Sequence, residues 1–470
     1  MGSMSCNSWC YGGFSLSLAL FLCLNSQLAT SRSTIEVLPG FEGLLPFELE
    51  TGYVGLGETE DDLQVFYYFI KSENNPSKDP VMLWLSGGPG CSSFSALAYQ
   101  IGPLAFKLEE YNGSLPNLVS RQYSWTKVCS IIFVDLPLGT GFSYAKNLTA
   151  QRSDWKLVHH THQFFRKWLI EHSEFLSNKL YIGGDSYSGM SLPAVVQEIS
   201  NGNEKGLNPW INLQGYVLGN PVTTRREKNH QIPFAHGMAL ISDELYASLQ
   251  KNCKGEYVDI DSRNELCSRD LHYFDECLSG INRFNILGVD CQDYSLKYHK
   301  ALLRRSMTQK LKATFSSHLT VTNLSCDTFG YFLCKLWMND KSVPRALHTQ
   351  EGTAGQWERC NGTDYEEDIS SSFEFHVNLS SKGYRSLIYS GDHDYTVPFM
   401  STQAWIRALN YSIVHDWRPW HVNGQVAGYT RTYSNQMTLA TVKGAGHVTS
   451  ELKSEECFAM FVRWISNVPL

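Results

Sequence analysis

The string Leu180 to Gly189, LYIGGDSYSG, constrains this chain more than any other. A short apolar run ends in two glycines, and a serine follows among small residues. That pattern predicts a strand that turns sharply into a helix and pushes the Ser186 hydroxyl out of the sheet. Small neighbours are needed because the backbone folds back on itself. The common form of such a nucleophile elbow is G-x-S-x-G; here Ser188 stands where the second glycine falls, and Gly189 follows one later. Read alone, the string is weak, since a serine in a glycine-rich turn is more often structural. What separates the two readings is whether partners for Ser186 follow in a usable order.

A serine hydroxyl is a weak nucleophile near neutral pH. It needs an imidazole to take its proton and a carboxylate to fix the imidazole's tautomer. In α/β-hydrolase folds the order is Ser, then Asp or Glu, then His, with the acid in a loop after a late strand. Tyr389 to Pro398 (YSGDHDYTVP) supplies Asp392 and Asp394, and Gly444 to His447 (GAGH) supplies a histidine on a glycine turn. With 15 histidines in the chain, order and loop placement carry this reading, not the mere presence of one. An oxyanion hole needs two backbone N–H groups. Tyr187, after the nucleophile, is one; Gly88, in the early loop Trp84 to Ser93 (WLSGGPGCSS), is the other. That loop lacks the Gly-Lys-Ser/Thr ending of a phosphate loop. His159, His160 and His162 crowd one helix without a convergent partner motif and read as surface or packing residues, so no metal or other cofactor is expected.

The 470 residues carry a net charge of −7, with 43% hydrophobic and 18% charged side chains. That balance excludes disorder and offers no basic stripe for nucleic acid. From Val81 onward short apolar runs alternate with amphipathic segments, the pattern of an α/β domain with a largely parallel sheet. Strands are expected at Val81 to Leu85, Ser130 to Val134, Leu180 to Ile182, Gly215 to Leu218 and Ser386 to Tyr389. Ser153 or Asp154 can cap a helix whose apolar positions include Trp155, Val158, Phe165, Trp168 and Leu169. Residues 32–224 and 341–470 then form two parts of one core, with 225–340 inserted as a lid. Inside the lid, 294–325 holds six Lys and Arg and no acid. It is either an exposed loop or a linker whose excision leaves two disulfide-joined chains, so the protein is expected as a monomer or a two-chain heterodimer.

Residues 1–31 contain no charged side chain, and the apolar run Phe14 to Leu24 is too short to span a bilayer. The segment reads as a signal peptide, with no stable membrane anchor expected. Glycosylation sequons begin at Asn112, Asn147, Asn323, Asn361, Asn378 and Asn410. Leader and sequons agree on the secretory pathway, with the vacuole or the extracellular space as destination. There disulfides persist among the 10 of 13 cysteines that remain once Cys6, Cys10 and Cys23 are removed.

These segments together resemble the serine carboxypeptidases and, more closely, the plant serine carboxypeptidase-like acyltransferases. The resemblance runs from about Thr34 to the C-terminus through WLSGGPGCSS, FVDLPLGTGFSY, LYIGGDSYSG, LGNP, WERCN, YSGDHDYTVP and GAGH. It implies an α/β-hydrolase fold with an inserted lid, a triad of Ser186, Asp394 and His447, and oxyanion donors Gly88 and Tyr187. It also implies disulfides Cys91–Cys360, Cys253–Cys267 and Cys291–Cys326, leaving Cys129, Cys277, Cys334 and Cys457 free. Peptidases of the family hold the substrate's terminal carboxylate with an Asn before GGPG, a Glu after it and a Glu beside the nucleophile. Here Ser86 and Gln100 occupy the first two positions and Asp185 the third, and with Gly87 they are the expected substrate contacts. Such changes match a peptide carboxylate poorly, and GDSYSG looks like the acyltransferase branch, whose donors are 1-O-acyl glucose esters. The expected activity is acyl transfer from such an ester to an acceptor hydroxyl. A carboxypeptidase, or a non-catalytic binding partner of an active relative, are the alternatives.

Overall fold

The computed structural model describes residues 32–56, 63–109, 111–146, 152–290, 329–353 and 355–470. A twelve-stranded mixed sheet runs through the molecule. Its six central strands are parallel, in the spatial order Ser130–Val134, Val81–Leu85, Leu180–Asp185, Leu213–Gly219, Arg385–Gly391 and Met437–Val442. Antiparallel strands flank them: Arg32–Ile35, Leu49–Leu56 and Leu63–Ile70 on one side, Gln425–Tyr433 and Ile413–Val422 on the other.

Strand side chains alternate between faces, and the apolar core divides accordingly. Phe66, Tyr68, Met82, Trp84, Ile131 and Phe133 point to one layer. Val65, Tyr67, Val81, Leu83, Ile132 and Val134 point to the other, against the helices Asp154–Glu171 and Ser188–Glu204. Because both faces are covered, the central strands read as continuous apolar runs. The Ser153 hydroxyl accepts from the Lys156 N–H at 3.3 Å and caps the first helix, which buries Val158, Phe165, Trp168 and Leu169. Trp155, expected on that apolar face, is 39% exposed; its position in the first turn faces solvent and the rim of the core. His159 is exposed, while His162 accepts from Arg166 Nε at 2.7 Å.

The inserted region has a small core of its own. Ile232, Phe234, Leu249 and Phe274 pack together and meet Tyr395 of the loop after the strand Arg385–Gly391. The helix Phe329–Met338, expected inside the lid, instead joins the main core: Trp337 stacks on Phe94 at 5.4 Å and donates to the Pro39 carbonyl at 2.7 Å. The physical reason is composition, since FGYFLCKLWM has only one charge and its Phe329, Leu333 and Trp337 share one face. This helix thus packs with the main core although it falls within the 225–340 stretch. The basic 294–325 segment, the leader and the Cys291–Cys326 pair lie outside the described residues. Among the described residues no helix is long and apolar enough to cross a membrane. The parallel sheet, flanking helices and insertion after the strand Leu213–Gly219 make this an α/β-hydrolase fold.

Candidate active site

The strand Leu180–Asp185 ends at Ser186, which holds a φ of 55°, the left-handed conformation that a side chain seldom adopts. The turn is pinned on both sides. Ser186 N–H donates to the Gly219 carbonyl at 2.9 Å, and Val222 N–H donates to the Ser186 carbonyl at 3.0 Å. The helix Ser188–Glu204 starts at once beyond it.

His447 Nε2 lies 2.8 Å from Ser186 Oγ, and His447 Nδ1 lies 2.7 Å from Asp394 Oδ2. With Nδ1–H donating to the carboxylate, the Nε2 lone pair faces the serine hydroxyl, as proton abstraction requires. Asp394 is fully buried and also accepts from Val397 N–H at 3.1 Å and Asn220 Nδ2 at 2.7 Å. Burial pulls the His447 pKa down, but the charge and hydrogen bond of Asp394, with Asp185 nearby, outweigh it and leave the pKa raised. Asp392, the other acid of that turn, braces the histidine loop by accepting from Gly444 N–H at 2.7 Å.

The early loop lies against the elbow because Gly87 has no side chain: a Cβ there would come within 2.6 Å of the Asp185 carbonyl and 2.8 Å of the Tyr187 nitrogen. Gly88 lines the cleft. The Tyr187 hydroxyl donates to Asp154 at 3.1 Å. Asp185 is braced between two donors: Gly87 N–H at 3.1 Å on Oδ1 and Gln100 Nε2 at 2.9 Å on Oδ2. Burial raises its pKa, while the Gly87 bond, the His447 charge and the Gln100 bond pull the other way. Ser86 and Ser95 line the same cleft, and both hydroxyls are buried without a hydrogen-bond partner.

The cleft encloses about 480 Å³. Arg359 enters it with its guanidinium 4.3 Å above the ring of Tyr331, whose hydroxyl donates to Glu451 Oε2 at 2.8 Å. The Cys91–Cys360 disulfide ties the early loop to the Arg359 segment, helped by Ser92 N–H to Arg359 O at 2.8 Å and Asn361 N–H to Gly90 O at 2.7 Å. Cys253–Cys267 staples two lid helices, and Cys129, Cys277, Cys334 and Cys457 are free. Of the sequons, Asn112, Asn378 and Asn410 are exposed. Asn361 is half-buried with its amide donating to the Gly139 carbonyl at 3.3 Å, while Asn147 and Asn323 lie outside the described residues. No group of three or more His, Cys, Asp or Glu among the described residues could hold a metal.

Sequence reading assigned no role to Asn220, Arg359 or Phe284, all of which border this machinery. Asn220 and Arg359 sit inside LGNP and WERCN, strings that mark a resemblance but carry no chemistry until the fold brings them to Asp394 and to the cleft. Phe284 belongs to the lid and gave no signal.

A serine carboxypeptidase family model matches residues 39–467. Serine carboxypeptidase-like 12 of Arabidopsis thaliana is 52% identical over 455 residues, covering 96% of this chain and 98% of that protein. Serine carboxypeptidase-like 17 of the same plant is 54% identical over 447 residues, covering 94% and 95%. In fold, the chain is similar to the crystal structure of Kex1Δp, a prohormone-processing carboxypeptidase from Saccharomyces cerevisiae, with a TM-score of 0.73, 20% identity and coverage of 94% and 97%. A family model spanning nearly the whole chain, with relatives above half identity over nearly its full length, establishes that the chain belongs to the serine carboxypeptidase family.

Proposed function

We propose that this family enzyme transfers an acyl group from a 1-O-acyl-β-D-glucose ester to an acceptor hydroxyl. Ser186 attacks the ester carbonyl while His447 takes its proton and Asp394 steadies the imidazolium. The N–H groups of Gly88 and Tyr187 hold the oxyanion. His447 then protonates the departing glucose oxygen, and the acyl-enzyme waits for an acceptor hydroxyl that His447 deprotonates in turn.

The observation that carries this reading is the state of Asp185. Each of its carboxylate oxygens already holds a donor, Gly87 N–H or the Gln100 amide, and Ser86 offers a hydroxyl in place of an amide. A peptide's terminal carboxylate finds no acid pair to share a proton with, whereas a neutral sugar ester needs none. Transfer must still beat water. At ~55 M water against millimolar acceptor, a preference of ~10⁴ to 10⁵ is needed, or roughly 6 to 7 kcal/mol of positioning and water exclusion.

One observation favours the carboxypeptidase reading. Arg359 lines the cleft, stacked on Tyr331 and without a carboxylate in ion-pair range among the described residues, and could hold an anionic substrate end. Incubation of the purified, glycosylated protein with a panel of acyl glucoses and alcohols, beside blocked dipeptides at acid pH, separates the two. New ester and free glucose support transfer; release of C-terminal amino acids alone overturns it. We propose the vacuole as the site of action, a reading supported by the exposed sequons at Asn112, Asn378 and Asn410 and by the two disulfides. Fractionation of the tagged protein from plant tissue tests it.

A further inference from the structure

The lid segment Asn282 to Ile286 is fastened to both catalytic loops at once. The Phe284 carbonyl accepts from His447 N–H at 2.6 Å, Ile286 N–H donates to the His393 carbonyl at 3.1 Å, and Thr396 N–H donates to the Arg283 carbonyl at 3.1 Å. The Asn282 side chain further holds the turn by accepting from Phe284 N–H at 3.0 Å and Asn285 N–H at 3.3 Å. Gly446, next to the catalytic histidine, is what permits the approach: a Cβ there would meet the Phe284 carbonyl at 2.3 Å and Asn285 Cβ at 2.7 Å. So held, the Phe284 ring stands 5.3 Å from the His447 ring, lines the cleft, and is nonetheless 54% exposed.

A large apolar side chain left open to water on a loop this firmly tied is not serving the core, since it belongs to none of the core clusters. Its position makes it part of the reaction space. In deacylation, an incoming oxygen bonds to the acyl carbon, His447 Nε2 takes that oxygen's proton, and the same proton returns to Ser186 Oγ as the acyl–Ser bond breaks. Water and an alcohol follow this identical course, so what separates them is which oxygen reaches Nε2. We propose that Phe284 is the specificity-determining residue that dewets the His447 face and so favours an alcohol carrying its own apolar surface over water. This rests on the acyl-enzyme reading above but not on the identity of the acyl donor.

The test uses p-nitrophenyl acetate, which acylates without any glucose recognition, in the presence of graded n-propanol. Because the acyl-enzyme partitions after it forms, the ratio of acetate to propyl acetate is independent of how fast acylation occurs. Phe284→Ala is expected to raise that ratio about tenfold, and Phe284→Leu, which keeps an apolar side chain, to restore most of the loss. Labelling of Ser186 by a fluorophosphonate confirms that each variant is folded. An unchanged ratio in Phe284→Ala, or a Leu variant no better than Ala, overturns the inference. No propyl acetate at any propanol concentration, with p-nitrophenolate still released by the parent protein, overturns the partitioning acyl-enzyme and this inference with it, whereas a shifted ratio without acyl glucose turnover leaves Phe284 in its role and removes only the donor.

Discussion

Asn220 donates its side-chain amide to Asp394 Oδ2 at 2.7 Å, the same oxygen that accepts from His447 Nδ1. Its own Oδ1 accepts from Thr449 Oγ1 at 2.6 Å and from Gly391 N–H at 3.3 Å. One side chain thus ties together the strand carrying the acid, the carboxylate itself and the helix that follows the catalytic histidine. Asn220 sits at the end of the strand next to the nucleophile's, with a φ of 44° that asparagine tolerates better than most residues.

Asn220→Leu keeps the approximate size and removes all three bonds. A hydrogen bond to a charged group contributes about 1.5–3 kcal/mol, so turnover of an activated ester should fall on the order of 10- to 100-fold. Since Asn220 touches no substrate, kcat should fall with KM little changed, and Asn220→Asp should not rescue, because it sets a second carboxylate against Asp394. A loss confined to KM would contradict this positioning role.

The raised pKa of His447 sets the acid limb of the rate profile. Burial depresses it, but Asp394 and Asp185 raise it further, so the imidazole stays protonated, and useless as a base, at pH values where a free histidine of pKa ~6.5 would already be half neutral. Ester turnover, followed as kcat/KM, should fall as pH drops through a midpoint above ~6.5. Asp394→Asn removes the largest raising influence, so its midpoint should move to lower pH while the plateau drops on the order of 10⁴-fold. A midpoint that stays in place would show that another group governs the limb.

Much of this site is legible in LYIGGDSYSG, YSGDHDYTVP and GAGH, because an elbow and its partners obey a chain order that survives in one dimension. The five expected strands are present for a similar reason: buried on both faces, they are unbroken apolar runs. The antiparallel flanks were not foreseen. Gln425–Tyr433 and its neighbour Ile413–Val422 carry polar and charged residues on an open face, and Ile413–Val422 is mostly exposed, so neither presents a compact apolar block. Asn220 and Phe284 were invisible for another reason. Each acts on a residue more than a hundred positions away, through a contact that only the sheet order and the lid's docking create.

Asp135 links pH to the early loop. It is fully buried and accepts from Ser92 Oγ at 2.7 Å, Ser93 N–H at 3.0 Å and Phe142 N–H at 3.2 Å. Burial outweighs these bonds and pushes its pKa up to about 7, and burial likewise pushes Glu227 up to about 8. In the unfolded chain such carboxyls titrate near 4, so between ~4 and ~7 the folded state binds more protons than the unfolded one and stability falls as pH rises. The raised His447 acts in the same direction, its contribution being lost as pH climbs through its folded pKa. His160, His162 and His376, pulled down by burial to about 4, 4 and 3, act in the opposite direction, so the test is a difference: the parent's melting temperature relative to that of Asp135→Asn, which is neutral throughout, should be higher at pH 5 than at pH 8. Equal slopes in parent and variant would remove Asp135 from the account.

Under the proposed acyl-transfer function, the bracing of Asp185 makes the distinction between ester and peptide reversible in principle. In Ser86→Asn/Gln100→Glu/Asp185→Glu, the amide and acid pair that the family's peptidases use would be restored. Gln100 no longer offers an amide to neutralise its partner, and the added methylene at 185 lets the carboxyl reach past the Gly87 N–H, 3.1 Å from the present oxygen, toward the cleft. Two acids in one buried site share a proton at acid pH, because like charges so close cannot both ionise, and the protonated member can then donate to a peptide carboxylate. The triple variant should gain measurable release of C-terminal residues from blocked dipeptides near pH 5 and lose it toward pH 7, where the shared proton leaves. On the same proposal, turnover of acyl glucose should fall alongside. Each single change is expected to gain little, since an amide without its acid partner leaves the peptide carboxylate half matched. A triple variant that stays silent toward dipeptides while still labelled at Ser186 by a fluorophosphonate would show that peptide exclusion resides elsewhere in the cleft, with the Arg359 and Tyr331 wall as the next place to look.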